Sequence, residues 1–136
     1  MDRRFFSKFS LSAASLLAIS GFDKLENHFK KKVIKDVFVH QVYFWLHNPT
    51  NPDDRKKFLE GIELLKKCKS IQSYHVGKPA GTSRSVIDAS YTYSWLTIYK
   101  NAEDEQAYQV DPIHLQFVKE YQHLWTKVIV YDSIDI

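Results

Sequence analysis

A tyrosine, a helix-breaking dipeptide and a histidine lie close together between Tyr108 and His114. Asp111-Pro112 predicts a helix start, because Asp accepts a hydrogen bond from an unpaired backbone N–H and Pro fits the first helical position. His114 would then lie in the first turn, where the positive helix terminus favours neutral imidazole. Tyr108 lies just before the break. The stretch therefore predicts an imidazole–phenol pair suited to acid–base chemistry on a small molecule.

The composition predicts one domain with an aromatic core. The chain has 136 residues, of which 44% are hydrophobic and 15% aromatic, which is enough for a packed interior. The net charge of +3 gives little electrostatic support for nucleic-acid binding, so we expect no nucleic-acid partner. Cys68 is the only cysteine, which excludes an intrachain disulfide, and its helical spacing with Phe58, Ile62 and Leu65 favours a small buried hydrophobe.

The histidines do not form a recognisable metal motif. The chain contains neither H-E-x-x-H nor H-x-x-x-H, the spacings that place two imidazoles on one helix face. His75 and His123 have no carboxylate at metal-ligand spacing. We therefore expect no metal site and no cofactor.

The N-terminus has the pattern of an export signal. Arg3, Arg4 and Lys8 precede an apolar run that ends at Phe22 and is too short to span a bilayer comfortably. Small residues precede Gly21, as a cleavage site requires. The paired arginines resemble the bacterial twin-arginine motif. An ordinary Sec signal and an uncleaved anchor are the alternatives.

The chain divides into three segments on this interpretation. Residues 1–20 are a twin-arginine-type signal peptide, residues 21–36 a charged linker and residues 37–136 the folded domain. We expect export, into the periplasm of a bacterium, with membrane contact only through an uncleaved leader.

The domain has the predicted order strand–helix–strand–strand–helix–strand. The predicted strands are 37–46, 71–77, 91–99 and 127–132. The first helix starts at Asp53 or Asp54, and the second runs from Asn101 to about Trp125 with a restart at Asp111-Pro112. This order is the ferredoxin-like arrangement: a four-stranded antiparallel sheet with both helices on one face.

The first strand is apolar on both faces, which predicts a second cover for the sheet. Phe38, Val42 and Phe44 point one way, and Val39 and Tyr43 point the other. Since the helices cover one face only, a second subunit covers the other in the simplest arrangement. We predict a homodimer formed through the sheet face.

Five segments carry a family resemblance: FVHQVYFWL (38–46), HVGKPAG (75–81), YTYSWLTIY (91–99), AYQVDPIHLQFV (107–118) and LWTKVIVYDS (124–133). Together they resemble the stress-responsive A/B barrel (Dabb) family. The resemblance implies a dimeric α+β barrel in which two ferredoxin-like sheets pack together.

The resemblance also implies site residues. One plant branch of the family contains a polyketide cyclase in which a His–Tyr pair promotes an aldol closure. Carried onto this chain, the catalytic base is His114 and its hydroxyl partner is Tyr108. His40 matches a further pocket histidine, whereas Tyr93 replaces another. The candidate binding residues are His40, Tyr93, Trp95 and Phe117.

Three classes of function stay open from the sequence. The first is a cofactor-free lyase, isomerase or cyclase that uses His114 and Tyr108 on a small apolar or aromatic molecule. The second is a protein that binds such a molecule without converting it. The third is a stress-associated structural dimer. Convergence of the two side chains on one internal cavity would favour the first two.

Overall fold

The computed structural model describes residues 32–136. The predicted signal peptide at 1–20 and most of the predicted linker at 21–36 lie outside the described residues. Residues 32–35 have no regular secondary structure. Within the described part, no helix combines the length and hydrophobicity needed to cross a membrane.

The described chain forms one antiparallel sheet with helices between its strands. The strands are β1 (Phe38–Leu46), β2 (Ser73–Gly77), β3 (Tyr93–Tyr99) and β4 (Trp125–Ile134); the helices are α1 (Pro52–Leu65), α2 (Ala102–Gln109) and α3 (Pro112–Tyr121). The sheet order is β2-β3-β1-β4, and each neighbouring pair is antiparallel. The predicted ferredoxin-like α+β fold is confirmed.

Side-chain caps begin all three helices. Asn51 caps α1, Asn101 caps α2 and Asp111 caps α3, each accepting a hydrogen bond from a backbone N–H in the first turn. The bond to Asp111 comes from the N–H of Ile113 at 2.8 Å. The predicted break between two helical segments is therefore present, and it places α3 as a separate helix over the sheet.

The core lies between the sheet and the helices. The alternation in β1 and β3 sends one set of side chains inward; its hydrophobic members are Val42, Phe44, Leu46, Tyr93, Trp95 and Tyr99, and its polar members are His40 and Thr97. They pack against Phe58 and Ile62 of α1 and Phe117 of α3. Helix α1 approaches α3 closely at Gly61, where an added Cβ would lie 2.9 Å from Phe117 Cε2. This contact helps to set the height of α3 above the sheet.

Several element boundaries differ from the sequence prediction: β2 and β3 begin at Ser73 and Tyr93 rather than at residues 71 and 91. The second long helix ends at Tyr121, and after a 3-10 turn β4 begins at Trp125 rather than residue 127. Pairing of Leu46 with Trp125 extends the ladder, and the Trp125 ring stacks on Phe117. Helix α1 ends at Leu65, so Cys68 is buried in the turn that follows it.

The opposite face of the sheet has no helix over it among the described residues. The apolar side chains on this open face are Val39, Tyr43, Trp45, Leu96, Ile98, Ile129 and Tyr131. Most are only half-buried, and Tyr131 is 61% exposed. An apolar sheet surface of this kind is normally covered by another protein layer.

Candidate active site between the sheet and the third helix

A cavity of about 330 Å³ lies between the sheet and α3. Five of the six predicted site residues line it: His40, Trp95, Tyr108, His114 and Phe117. Valines of β1 and β4 supply an apolar wall, and Val128 and Val130 on the edge strand are about half exposed. A mostly apolar cavity with a few converging polar groups is the usual form of a small-molecule site.

Among the described residues, only one of the two ring nitrogens of His114 has a hydrogen-bond partner. Its Nδ1 lies 3.1 Å from the backbone carbonyl oxygen of Gln109. Because a carbonyl only accepts hydrogen bonds, Nδ1 carries the proton and donates it, which leaves Nε2 as an acceptor. The carbonyl is available because Gln109 ends α2, and the last carbonyls of a helix lack helical partners.

The pKa of His114 lies below its ordinary value, mainly because the ring is buried. The hydrogen bond from Nδ1 to Gln109 opposes this shift. The sequence predicted a neutral imidazole from the positive end of the helix, whereas the structure identifies burial as the largest cause. A neutral ring with a free Nε2 is the form that a general base needs.

Tyr108 stands beside His114 at the end of α2. The two ring centroids are 4.5 Å apart, and the Tyr108 side chain is almost completely buried. Its hydroxyl accepts a hydrogen bond from Trp95 Nε1 at 3.3 Å. Burial raises the pKa of the Tyr108 phenol above its ordinary value, so the hydroxyl keeps its proton and can donate it in a hydrogen bond.

His40 reaches the same cavity from β1 and is held by a carboxylate. Its Nδ1 donates to Asp132 Oδ1 at 2.6 Å, and Glu105 Oε1 lies 3.9 Å from the same nitrogen. The His40 and Tyr108 rings are 6.0 Å apart. Among the described residues, His40, Glu105 and Asp132 form the group whose donor atoms are spaced for a metal ion.

Asp132 and Glu105 were not among the site residues predicted from the sequence. His40 and Asp132 are 92 positions apart, and only the register of β1 against β4 sets them opposite each other. A usable signal was present in the last strand: Asp132 is in phase with Val128 and Val130. Period-two alternation therefore puts a carboxylate on the core-facing side of that strand.

Tyr93 was predicted as a binding residue of this cavity, but the structure places it elsewhere. Its ring stacks on Phe58 at 5.3 Å, and its hydroxyl accepts a hydrogen bond from Arg55 Nε at 2.9 Å. Tyr93 thus faces a groove along α1, because the inward side of β3 near its start lies under α1 and not under α3.

The family model for the Stress responsive A/B Barrel Domain, Dabb, matches residues 38–135. The match covers most of the chain, so this protein belongs to the Dabb family. No curated protein sequence matches the chain.

Solved structures share the fold at low sequence identity. A Dabb family protein with a ferredoxin-like fold from Mesorhizobium loti is 18% identical at a TM-score of 0.63, covering 74% of this chain and 97% of its own. A dimeric ferredoxin-like protein of unknown function from Thermobifida fusca is 13% identical at 0.61, covering 78% and 99%. A hydroxynitrile lyase from Passiflora edulis is 15% identical at 0.63, covering 74% and 94%. Proteins of this fold therefore range from unknown function to a lyase.

Proposed function

We propose that this protein binds a small, largely apolar or aromatic molecule in the cavity beneath α3 and catalyses a cofactor-free proton transfer on it. The reaction class is that of a lyase, cyclase or isomerase, with His114 as the base and Tyr108 as the hydrogen-bond donor. The hydrogen bond between His114 Nδ1 and the Gln109 carbonyl carries the proposal. It leaves Nε2 of a neutral imidazole free to accept a proton.

His114 and Tyr108 have complementary roles in the proposed proton transfer. Nε2 of His114 takes a proton from a C–H group next to a carbonyl, the electron pair of that C–H bond forms a C=C bond, and the carbonyl π pair moves onto its oxygen. For a hydroxynitrile, Nε2 takes the O–H proton, the O–H electron pair forms the C=O bond, and the C–CN bond breaks to release cyanide, which takes this proton from the imidazolium. The Tyr108 hydroxyl can donate a hydrogen bond to the oxygen of the bound molecule, because Trp95 Nε1 donates to the hydroxyl oxygen and the O–H has no acceptor among the described residues. Stabilisation of the developing charge by a positioned donor usually contributes most to the rate in such sites.

The size and lining of the cavity favour a small apolar or aromatic molecule. Aromatic and aliphatic side chains form most of its wall, and the 330 Å³ volume falls at the small end of ligand sites. A hydroxynitrile lyase among the structural relatives supports testing aromatic hydroxynitriles beside aromatic ketones.

The test begins with native mass spectrometry of the purified protein, which identifies any molecule that remains bound. Turnover of that molecule and of aromatic hydroxynitriles is then compared between wild type and His114→Ala. For aromatic ketones, the rate of deuterium exchange in D₂O is compared. We expect kcat/KM to fall by about 10²-fold or more, the contribution usual for a general base.

His123→Ala is the matched control, because His123 is an exposed histidine outside the cavity. It should leave turnover unchanged. Unchanged turnover in His114→Ala would remove His114 from the mechanism. Binding of a ligand without turnover by the wild type would instead favour a binding protein.

We also propose that the protein is a homodimer formed through the open face of the sheet. The exposed apolar surface there and the relative from Thermobifida fusca described as dimeric support this. Leu96→Lys on the open face should give a monomer by light scattering, whereas Leu59→Lys on the outer side of α1 should not. A monomeric wild type at micromolar concentration would reject the proposal.

Finally, we propose export through the leader at residues 1–20, which rests on the sequence pattern alone. Intact mass of the protein recovered from the periplasm should correspond to a chain that begins at Gly21. Replacement of Arg3 and Arg4 by Lys should block export if the twin-arginine route is used. Export that persists in this variant would indicate the Sec route.

A further inference from the structure

Three side chains that can ligate a metal ion come from three separate elements and meet at His40, which lines the cavity. His40 comes from β1, Glu105 from α2 and Asp132 from β4. Their nearest ligand atoms all lie within 4.8 Å of one another. The imidazole is the most deeply placed, with a side chain 5% exposed, while the carboxylates of Glu105 and Asp132 are 12% and 45% exposed.

This group lacks an ordinary counter-ion. Within residues 32–136, neither Glu105 nor Asp132 has a Lys or Arg nitrogen within 4.0 Å, and His40 is the basic partner of both. Two carboxylates that converge on one buried imidazole favour an additional positive charge between them.

A buried hydroxyl nearby is also without a partner. Tyr99 is fully buried, and its hydroxyl has no hydrogen-bond partner among the described residues. Its ring centroid lies 6.4 Å from that of His40. Since buried polar groups are nearly always paired, this hydroxyl can accept from or donate to a polar ligand that binds near His40.

We propose that His40, Glu105 and Asp132 bind a divalent first-row transition-metal ion, of which Zn²⁺ and Mn²⁺ are the probes to use. One imidazole with two carboxylates is a borderline-to-hard ligand set that suits these ions better than a thiolate-seeking metal. Three protein ligands leave positions for water or substrate, as in catalytic zinc sites.

The required rearrangement is small. Ligand atoms about 2.0–2.2 Å from a metal ion stand about 3 Å or slightly more apart. The His40–Asp132 separation is 2.6 Å and the His40–Glu105 separation is 3.9 Å. The Glu105 side chain would move inward, and its Oε1 would exchange the hydrogen bond that it accepts from Gln109 Nε2 at 2.6 Å for the ion. The proton now shared by His40 and Asp132 would be released on binding.

Such an ion would lie beside the proposed catalytic pair without replacing it. His40 lines the cavity together with Tyr108 and His114. An open coordination position would therefore take water or an oxygen atom of a bound molecule. The proposal does not depend on His114 acting as a base.

The test is isothermal titration of the untagged, full-length protein with ZnCl₂ and with MnCl₂ after chelator treatment. We expect one ion per chain. Asp132→Asn and Glu105→Gln keep the side-chain shape but remove a metal-ligating charge. Loss of an outer-shell partner costs about 10–100-fold in metal affinity, and each of these variants should lose more than that. His123→Ala should bind as the wild type does, and circular dichroism checks that every variant is folded.

Two results would overturn the proposal. One is a wild type that binds neither ion more tightly than about 100 μM, which would leave His40 and Asp132 as a hydrogen-bonded pair. The other is unchanged affinity in folded Asp132→Asn and Glu105→Gln, which would put the ion elsewhere. Turnover that is unaffected by chelator while metal binding is present would separate this site from the proton-transfer reaction.

Discussion

Gly61→Ala sets two opposing effects against each other at the contact that positions α3. Alanine is a better helix former than glycine by about 1 kcal/mol. Against this, the new Cβ would lie 2.9 Å from both Phe117 Cε2 and Tyr121 Cγ. The Phe117 ring has little room to yield, because it also stacks on Trp125 at 5.5 Å. Overpacking of this kind costs about 1–3 kcal/mol.

We therefore expect Gly61→Ala to lower the free energy of unfolding by about 1 kcal/mol, and to lower Tm by about 4–8 °C for a domain of this size. Thermal melting and urea titration measure both quantities. Lys57→Ala, on the exposed side of α1, is the control for helix propensity alone and should be nearly neutral. A Gly61→Ala variant more stable than the wild type would refute the close approach of α1 to α3.

Three further predictions concern the site. Asp111→Ala removes the cap of α3 and should lower the free energy of unfolding by about 1 kcal/mol in urea titration, whereas Asp111→Asn should largely preserve it. Tyr108→Phe leaves the buried Trp95 N–H without its acceptor and should cost about 1–2 kcal/mol by the same measurement; no loss would mean that the bond contributes nothing. Burial holds the pKa of His114 in the folded state below the ordinary 6.5, so the unfolded chain takes up this proton first as the pH falls. The free energy of unfolding should therefore decline from about pH 6.5 downward, and His114→Gln should show a shallower decline across that range.

The sequence predicted the fold well where the determining forces act over short distances. Alternation in residues 38–46 and 93–99 separated the two sheet faces, and the Asp111 cap with Pro112 marked the start of α3. Such signals depend on side-chain period and on hydrogen bonds between residues two or three positions apart. The ends of elements were less certain: β4 gained Trp125 through pairing with Leu46, a contact that local pattern does not contain.

The candidate site was predicted in part for the same reason. Tyr108 and His114 lie on either side of the break between α2 and α3, so the sequence alone indicated that they are neighbours. Tyr93 was wrongly placed in their cavity, because alternation along β3 gives the face of a residue but not which helix covers it. Its hydroxyl instead meets Arg55 of α1.

By itself, the sequence determined a ferredoxin-like domain, its membership of the Dabb family and the position of the His114–Tyr108 pair. Only the tertiary structure decided the tautomer of His114, through the Gln109 carbonyl, and the meeting of His40 with Glu105 and Asp132. The physical reason is the range of the interactions. Capping and periodicity depend on neighbouring residues, whereas strand register and helix height arise from packing of the whole core and bring together His40 and Asp132, which are 92 positions apart.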